Sequence, residues 1–355
     1  MHSTCYSSES DDDLDSFMAT MVAQSGPISI QRAVALVRHR FGLEVEATRL
    51  TGERDENFKL TLPDRTEYVL KIANPAESAA VTDLQIAALL HVARTDGELP
   101  VPRIRRTPGG DAGIRFEDAS GFQRMGRILT YLPGRLLEDS ARSSQQRAAC
   151  GRLGGRLSRS LSSFEHPAAH RAVIWDVRHV GYLSRLLTQM PGFAFRSRAI
   201  ELLNRIMPAV DGRLPMLRRQ VVHNDLNPRN ILVDPQHESR VIGVIDFGDL
   251  THTALIADVA VAGAELIPPD CADPAAARDC VLDVARAYDE CFPLLAPELA
   301  ILGAFVAARL AMNIVVHEWH VAHNPSSQHF AALDGDFMRA RLEVAQGLLD
   351  EEFRL

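Results

Sequence analysis

Three polar side chains near the middle of the chain have the types and the order that phosphoryl transfer from ATP requires. Asp225 ends the His-Asn-Asp stretch at residues 223–225, Asn230 follows it by five residues, and Asp246 opens the Asp-Phe-Gly stretch at 246–248. The transferred phosphoryl group carries negative charge that Mg²⁺ must neutralise, and Mg²⁺ prefers oxygen ligands. We therefore predict Asn230 and Asp246 as Mg²⁺ ligands and Asp225 as the base that accepts the proton of the attacking hydroxyl.

Short apolar runs flank these residues and are predicted to position them. Residues 220–222, 230–233 and 241–245 are rich in Val and Ile and are typical of strands. Pro228 restricts the loop between the first two strands, and Gly248 allows a sharp turn after the third. Asp, Asn and Gly are also common in turns, which is the alternative for each motif taken alone.

The N-terminal third has patterns of an antiparallel sheet. We predict a helix over residues 28–41, strands over 43–50, 57–62 and 67–72, and a helix over 77–95. Lys71 lies on the third strand, where its ammonium could neutralise nucleotide phosphates; the alternative is a surface lysine on a strand edge. The loop at residues 51–57 is predicted to cover the phosphates with backbone N–H groups and the Asn57 side chain.

Helical patterns dominate after about residue 140. We therefore predict an α+β fold with two lobes: a small antiparallel β-rich N-lobe and a larger, mainly helical C-lobe. The predicted boundaries are a disordered, acidic, Ser-rich tail over 1–27, the N-lobe over 28–134 and the C-lobe over 135–355.

The composition excludes several other classes of protein. The 355 residues are 46% hydrophobic and 24% charged, with a net charge of -8, which argues against a broad nucleic-acid surface. The five cysteines are scattered and odd in number, so a reducing compartment is expected. We find no secretory signal and predict no membrane-spanning run, and we expect a cytoplasmic protein.

Together these stretches resemble the aminoglycoside phosphotransferase and choline kinase superfamily, whose members have a protein-kinase-like fold. Four further segments are similar to hydroxylysine kinase and to the kinase-like domains fused to some class III aminotransferases. These segments are residues 52–58, 68–74, 129–134 and 175–179. The resemblance extends from about residue 28 to residue 340.

The resemblance implies roles for individual residues. Asp225 would be the catalytic base, and His223 would brace the catalytic loop. Lys71 would bind the nucleotide phosphates, and backbone groups near Thr130 and Tyr131 would meet the adenine of ATP or GTP. In the family an acid on the following helix holds the lysine, but the matching position here is Gln85. Glu77, Asp83 or an acid among residues 53–56 is left open as the partner of Lys71.

The acceptor pocket is expected in the C-lobe, because the acceptor hydroxyl must reach Asp225. Asp249 is close in sequence to the metal site. Glu318 or Trp319 could receive a cationic amine, with a core Trp as the alternative. Arg178 could hold a substrate carboxylate, with a helix-start pattern around Asp176 as the alternative.

The predicted function is transfer of the γ-phosphate of ATP or GTP to a hydroxyl of a small hydroxylated amine or amino acid. An aminoglycoside-type antibiotic phosphotransferase is the first alternative, with the acids at 334–336 and 350–352 as its polycation pocket. A non-catalytic pseudokinase is the second, although the base and both metal ligands are present. The expected partners are a nucleotide and a small acceptor, without nucleic acid or membrane, for a monomer or homodimer.

Overall fold

The computed structural model describes residues 8–22, 27–52, 54–324 and 333–355. The chain divides into two compact units. The small unit comprises Met18–Pro133 with His166–Ala168, and the large unit comprises Met1–Phe17, Gly134–Glu165 and Ala169–Leu355. The junction after Pro133 is next to the predicted boundary at residue 134.

An antiparallel sheet is the centre of the small unit. Its strands, in chain order, are β1 (Glu46–Leu50), β2 (Glu56–Thr61), β3 (Glu67–Ile72), β4 (Ile104–Arg105), β5 (Ile114–Glu117) and β6 (Gln123–Thr130). They pair in the order β1-β2-β3-β6-β4, and β5 also pairs with β6. Along part of β2, buried side chains alternate with half-buried ones, as expected when one face of a sheet covers a core.

Two helices accompany this sheet, α2 (Ile30–Phe41) and α3 (Ala79–Thr95). The Ser29 side chain accepts a hydrogen bond from Arg32 N–H at the start of α2, and Gly42 ends the helix in the left-handed region with φ 67°. The apolar face of α2 packs with Phe58 and Leu70 of the sheet in one core cluster. The predicted helix and strands of this region are therefore present, with bounds shifted by a few residues.

The N-terminal tail differs from the prediction. Ser8–Val22 forms helix α1, so the prediction of a disordered tail is wrong for this stretch. Leu14 and Phe17 are buried, and the Asp15 carboxylate accepts hydrogen bonds from Tyr182 and Arg185. Residues 1–7 and 23–26 of the predicted tail lie outside the described residues.

Helices make up most of the large unit. They are α4 (Ser144–Leu161), α5 (Leu183–Gln189), α6 (Arg196–Arg213), α7 (Ile256–Glu265), α8 (Pro274–Asp289), α9 (Ala296–His323) and α10 (Gly335–Leu349). Gly151 of α4 allows a close approach to α8, because an added Cβ would lie 2.3 Å from the Val284 carbonyl oxygen. α9 packs against α5, α6, α7 and α10 and forms the centre of the unit.

The large unit also contains short strands that carry the motif residues. They are β7 (Arg135–Leu136), β8 (Arg219–Val222), β9 (Ile231–Val233), β10 (Val241–Val244) and β11 (Thr251–Ala254). β9 pairs antiparallel with both β10 and β7, and β8 pairs antiparallel with β11. The loop at residues 223–230 therefore joins two separate sheets.

Helix α9 has the length and composition of a membrane span, with a mean hydropathy of 2.1 over its most apolar window. The prediction that no stretch of the chain reaches this requirement is wrong. However, 83% of that window is buried inside the protein, and residues such as Phe305 and Leu302 are fully enclosed. A core helix of a globular protein meets the same criteria.

Candidate active site

Hydrogen bonds within the loop between β8 and β9 hold the side chain of Asp225. Asn230 Nδ2 donates to Asp225 Oδ2 at 2.6 Å and to the Asp225 carbonyl oxygen at 3.0 Å. Asn227 Nδ2 donates to Asp225 Oδ1 at 2.8 Å. The predicted base and the predicted metal-binding amide are therefore in direct contact, because the loop curls back across five residues.

A buried carboxylate fixes the start of this loop. The backbone N–H groups of His223 and Asn224 donate to Asp258 of α7 at 3.2 and 2.6 Å, and Ser158 donates to it at 3.2 Å. Burial raises the pKa of Asp258 to about 6, although these hydrogen bonds act in the opposite direction. Asn224 has φ 64°, a left-handed conformation that this anchoring holds in place.

His223 is fully buried beneath the loop. Its Nδ1 accepts a hydrogen bond from Asp225 N–H at 3.3 Å, and its ring meets the Phe247 ring edge-on at 4.9 Å between centroids. Burial lowers the pKa of His223 to about 4, so the imidazole is neutral at physiological pH. A neutral ring in this place can support the loop and link it to the Asp-Phe-Gly segment.

Asp246 follows β10 and lies at the same end of the sheet as Asn230. Val244 pairs with Ile231, and Ile245 N–H donates to the Asn230 carbonyl oxygen at 2.8 Å. Asp246 has φ 61°, and its Oδ1 accepts a hydrogen bond from Gly248 N–H at 3.0 Å. The strand pairing thus brings the two predicted metal ligands together.

The donor set in this place fits Mg²⁺. Asn230 turns its amide nitrogen toward Asp225, which leaves its amide oxygen for a cation, and Asp246 supplies a carboxylate. In the described part of the chain, no group of three or more His, Cys, Asp or Glu side chains could hold a metal ion. A site with few protein ligands suits Mg²⁺, which keeps several waters and binds substrate phosphates.

The predicted site residues did not include Arg309, which contacts the predicted base from a distant part of the chain. Arg309 of α9 donates from Nη2 to Asp225 Oδ1 at 3.1 Å and from Nε to Glu265 Oε1 at 2.8 Å. Burial and the nearby Asp249 carboxylate raise the pKa of Asp225 to about 7, whereas Arg309 acts to lower it. An arginine in the middle of an apolar helix was the available signal, because a buried charge requires a partner.

In the small unit, residues predicted to bind the nucleotide are cross-strand neighbours. Asn57 pairs with Lys71 across β2 and β3, and Lys71 pairs with Arg127 across β3 and β6. Asp55 Oδ2 lies 3.7 Å from Lys71 Nζ and 3.4 Å from Arg127 Nη2. Asp55, one of the acids left open by the sequence, therefore pairs with Lys71.

Gln85 has a different partner from the one expected. Its Oε1 accepts a hydrogen bond from Arg127, and the residue is buried. Gln85 thus acts on the Arg127 guanidinium, which shares Asp55 with Lys71. Glu53, another acid considered for this role, lies outside the described residues.

Thr130 and Tyr131 use their backbone N–H groups within the small unit. Thr130 N–H donates to the Arg103 carbonyl oxygen at 2.9 Å, and Tyr131 N–H donates to the Glu67 carbonyl oxygen at 3.2 Å. An adenine that contacts Thr130 and Tyr131 would therefore have to donate hydrogen bonds to the backbone carbonyl oxygens of these two residues. The adenine-binding role of these two residues stays a prediction.

The predicted acceptor residues are not all brought to Asp225. Asp249 is buried and close enough to raise the pKa of Asp225. Arg178 Nη2 pairs with Asp176 Oδ2 at 2.9 Å, and Asp176 Oδ1 accepts a hydrogen bond from Arg178 N–H at 3.0 Å. The helix-start interpretation of this segment is therefore correct, since Asp176 caps the short helix Val177–Tyr182.

Glu318 and Trp319 lie about 14 Å beyond Arg309 along α9, at the rise of 1.5 Å per residue. Trp319 is buried and donates to Gln189 Oε1 at 2.7 Å, while Glu318 Oε1 accepts a hydrogen bond from Leu333 N–H at 3.1 Å. The alternative interpretation of Trp319 as a core side chain is correct. The position and contacts of these residues do not support a role in acceptor binding.

Two small-molecule kinases have solved structures similar to this fold. Amicoumacin kinase, solved with AMP-PNP, Ca²⁺ and Ami, matches with a TM-score of 0.67 and 16% identity over 91% of this chain and 94% of its own. A microcompartment-associated aminopropanol kinase matches with a TM-score of 0.66 and 16% identity over 90% of this chain and 95% of its own. The predicted fold class, a kinase-like α+β fold, is confirmed.

Sequence comparison assigns the family. Residues 46–293 match the sequence profile of the phosphotransferase enzyme family, and the chain belongs to this family. Hydroxylysine kinase of Mus musculus is 27% identical over 320 residues, which cover 84% of this chain and 84% of that protein. The prediction of an enzyme that phosphorylates a hydroxyl group is thereby confirmed.

Proposed function

We propose that this enzyme transfers the γ-phosphate of ATP or GTP, with Mg²⁺, to the hydroxyl of a small hydroxylated amine or amino acid. The observation that carries the proposal is the contact between Asp225 and Asn230, together with Asp246 at the same sheet end. This arrangement offers one carboxylate as a base and two further side chains with oxygen ligands for a cation.

Each residue has a defined part in this reaction. Asp225 would orient the acceptor hydroxyl and take its proton as the new O–P bond forms. Asn230 and Asp246 would hold Mg²⁺, which neutralises charge on the phosphates when bound. Lys71 would bind the phosphates through its ammonium, and Asp55 keeps that ammonium in place.

The proposed acceptor is 5-hydroxylysine or a close relative. Support comes from the similarity to mouse hydroxylysine kinase, which extends over most of both chains. The test is a nucleotide-consumption assay with purified protein over hydroxylated amino acids, amino alcohols, choline and aminoglycosides. Turnover of aminoglycosides or choline, with 5-hydroxylysine and homoserine ignored, would contradict the proposal.

The acids considered for an antibiotic-binding pocket are engaged elsewhere. Asp334 caps α10, and Asp336 pairs with Arg339 at 2.8 Å. Asp350 pairs with Arg205, and Glu351 pairs with Arg278 at 3.0 Å. These contacts give the aminoglycoside alternative no specific support, so we keep the amino acid acceptor as the single candidate.

We further propose that the enzyme works in the cytoplasm, as a monomer or homodimer, without nucleic acid or membrane. The net charge of -8 and the free thiols of Cys150 and Cys280 support this. Size-exclusion chromatography with light scattering would measure the oligomeric state.

A further inference from the structure

Arg309 is a buried cation in the centre of the large unit. Its side chain is 3% exposed, yet it lies on α9 among apolar neighbours. An unpaired guanidinium there would be strongly destabilising. Its hydrogen-bond partners therefore have to compensate the buried charge. Each of these partners lies in the catalytic loop or in an element beside it.

The guanidinium donates in three directions. Nη2 meets Asp225, Nε meets Glu265, and Nη1 donates to the Trp175 carbonyl oxygen at 3.2 Å. The cation also lies 5.0 Å from the centre of the Trp175 ring. Because the fork of a guanidinium is planar and rigid, these partners fix its orientation.

Glu265 anchors the far side of this fork. Its Oε1 also accepts a hydrogen bond from Asn313 Nδ2 at 3.0 Å, so two residues of α9 hold the end of α7. Glu265 is 18% exposed at its side chain and Asp225 is 19% exposed, whereas Arg309 between them is enclosed. The two carboxylates are thus held side by side by one buried cation.

We infer that Arg309 is a positioning residue for the catalytic carboxylate. Asp225 Oδ2 is held by Asn230 and Oδ1 by Asn227, both from the same loop, and Arg309 adds a hydrogen bond from outside that loop. The orientation of the Asp225 carboxylate therefore depends on α9 and α7 as well as on the loop. This inference rests on the proposed function, which assigns the base to Asp225.

The test compares R309K, R309M and E265Q with the wild type. Lysine keeps the charge but lacks the fork, so it cannot reach both carboxylates in the same way. We expect kcat of R309K to fall about 10- to 100-fold, as misplacement of a reacting group does, with both KM values within about twofold of the wild type. R309M should lose more, because both its charge and its hydrogen bond to Asp225 are gone. E265Q should lose less, because the hydrogen bond from Arg309 to Asp225 remains.

Arg341 provides a matched control. It is also buried in the large unit, but its Nη2 donates to the carbonyl oxygens of Ile267 and Pro268 at 3.2 and 2.6 Å. R341K should lower the melting temperature while kcat per folded molecule is retained. A general loss of stability would reduce folded protein in R309K and R341K alike, whereas positioning reduces kcat in R309K alone.

The inference would be overturned if kcat of R309K, per folded molecule, stayed within about twofold of the wild type. That outcome would leave the proposed function intact. If R309M does not fold, R309K and E265Q still decide the matter. If the wild type phosphorylates no hydroxylated amine, the proposed function fails, and crystal structures of the wild type and R309K decide the inference separately. An Asp225 carboxylate that is unmoved in R309K would then contradict it.

Discussion

At the scale of single residues, the catalytic loop combines a half-buried carboxylate with several fully buried supports. Asp225 keeps 19% of its side chain exposed, while His223 and Asp258 beneath it are fully enclosed. The supports donate or accept hydrogen bonds through backbone groups, so the loop conformation does not depend on the acceptor. Asp225→Asn therefore leaves these backbone supports in place, although it changes the acceptor of Asn227, Asn230 and Arg309.

Asp225→Asn should retain nucleotide binding and lose most turnover. The metal ligands remain, but the side chain can no longer take the proton, and general base catalysis contributes about 10²–10⁴-fold. Calorimetry with Mg²⁺ and AMP-PNP, alongside an assay of turnover, measures both effects. Asp279→Asn, an exposed position on α8, is the control. Turnover of the Asp225 variant equal to that of the wild type would refute the assignment of the base.

Asp55→Asn should weaken nucleotide binding. The carboxylate lies between Lys71 and Arg127, and without its charge these two cations repel one another and Lys71 loses its ion pair with Asp55. We expect KM for ATP to rise about tenfold, which corresponds to roughly 1.4 kcal/mol, with kcat at saturating ATP largely retained. Asp64→Asn, in an exposed turn of the same unit, should leave KM unchanged. An unaltered KM in the Asp55 variant would show that Lys71 does not need this partner.

At the scale of elements, glycines set the distance between α4 and α8. A Cβ at Gly151 would lie 2.3 Å from the Val284 carbonyl oxygen and 3.1 Å from Ala287 Cβ. The backbone of α8 cannot move aside without disturbing the packing of α7 and α10. The close approach of the two helices therefore depends on the absence of a side chain at this position.

Gly151→Ala should destabilise the protein by about 1–3 kcal/mol, the usual effect of overpacking a core. Gly212→Ala is the matched helical control, since nothing lies within 4 Å of its added Cβ on α6. The control should gain about 0.5–1 kcal/mol, because alanine is the better helix former. Denaturant unfolding of both variants measures the free energies. Equal stability of the two variants would contradict the proposed steric clash.

The elements that were predicted correctly were those with a strong local sequence pattern. β3 was predicted with its observed bounds, and Gly42 marked the end of α2. The predicted start of α2 at residue 28 lay two residues too early, because Ser29 was not recognised as the N-cap. α1 was missed because its acidic, serine-rich composition suggested disorder. Leu14, Phe17 and Met18 nevertheless recur at helical spacing and are buried, so the pattern was present but outweighed.

The candidate site was predicted where its residues are close in sequence. Asp225 and Asn230 are five residues apart, and a spacing this short can be recognised as a sequence motif. The contact of Asp225 with Arg309 joins residues 84 positions apart, which only the packing of α9 against the loop creates. Glu318 and Trp319 were chosen from the same helix, but helical spacing alone does not reveal which stretch of a long helix meets the site.

At the scale of the whole molecule, helix α9, which has the length and composition of a membrane span, is an internal helix. We expect the protein to remain in the supernatant when a cell lysate is centrifuged at high speed without detergent. The reason is that α9 is covered by its neighbours, with 83% of its most apolar window buried. Carbonate extraction of the pellet is the control for loosely attached protein. A requirement for detergent would mean that α9 leaves the core and meets lipid.

Arg309 has a consequence for α9 before the protein has folded. Before the large unit has folded, the apolar surface of α9 is uncovered, and its length and composition are those of a membrane-spanning segment. A single arginine at the centre of such a segment opposes insertion by about 2.5–3.5 kcal/mol. The cation that contacts Asp225 in the folded protein therefore also makes α9 a poorer candidate for insertion into a lipid bilayer before folding.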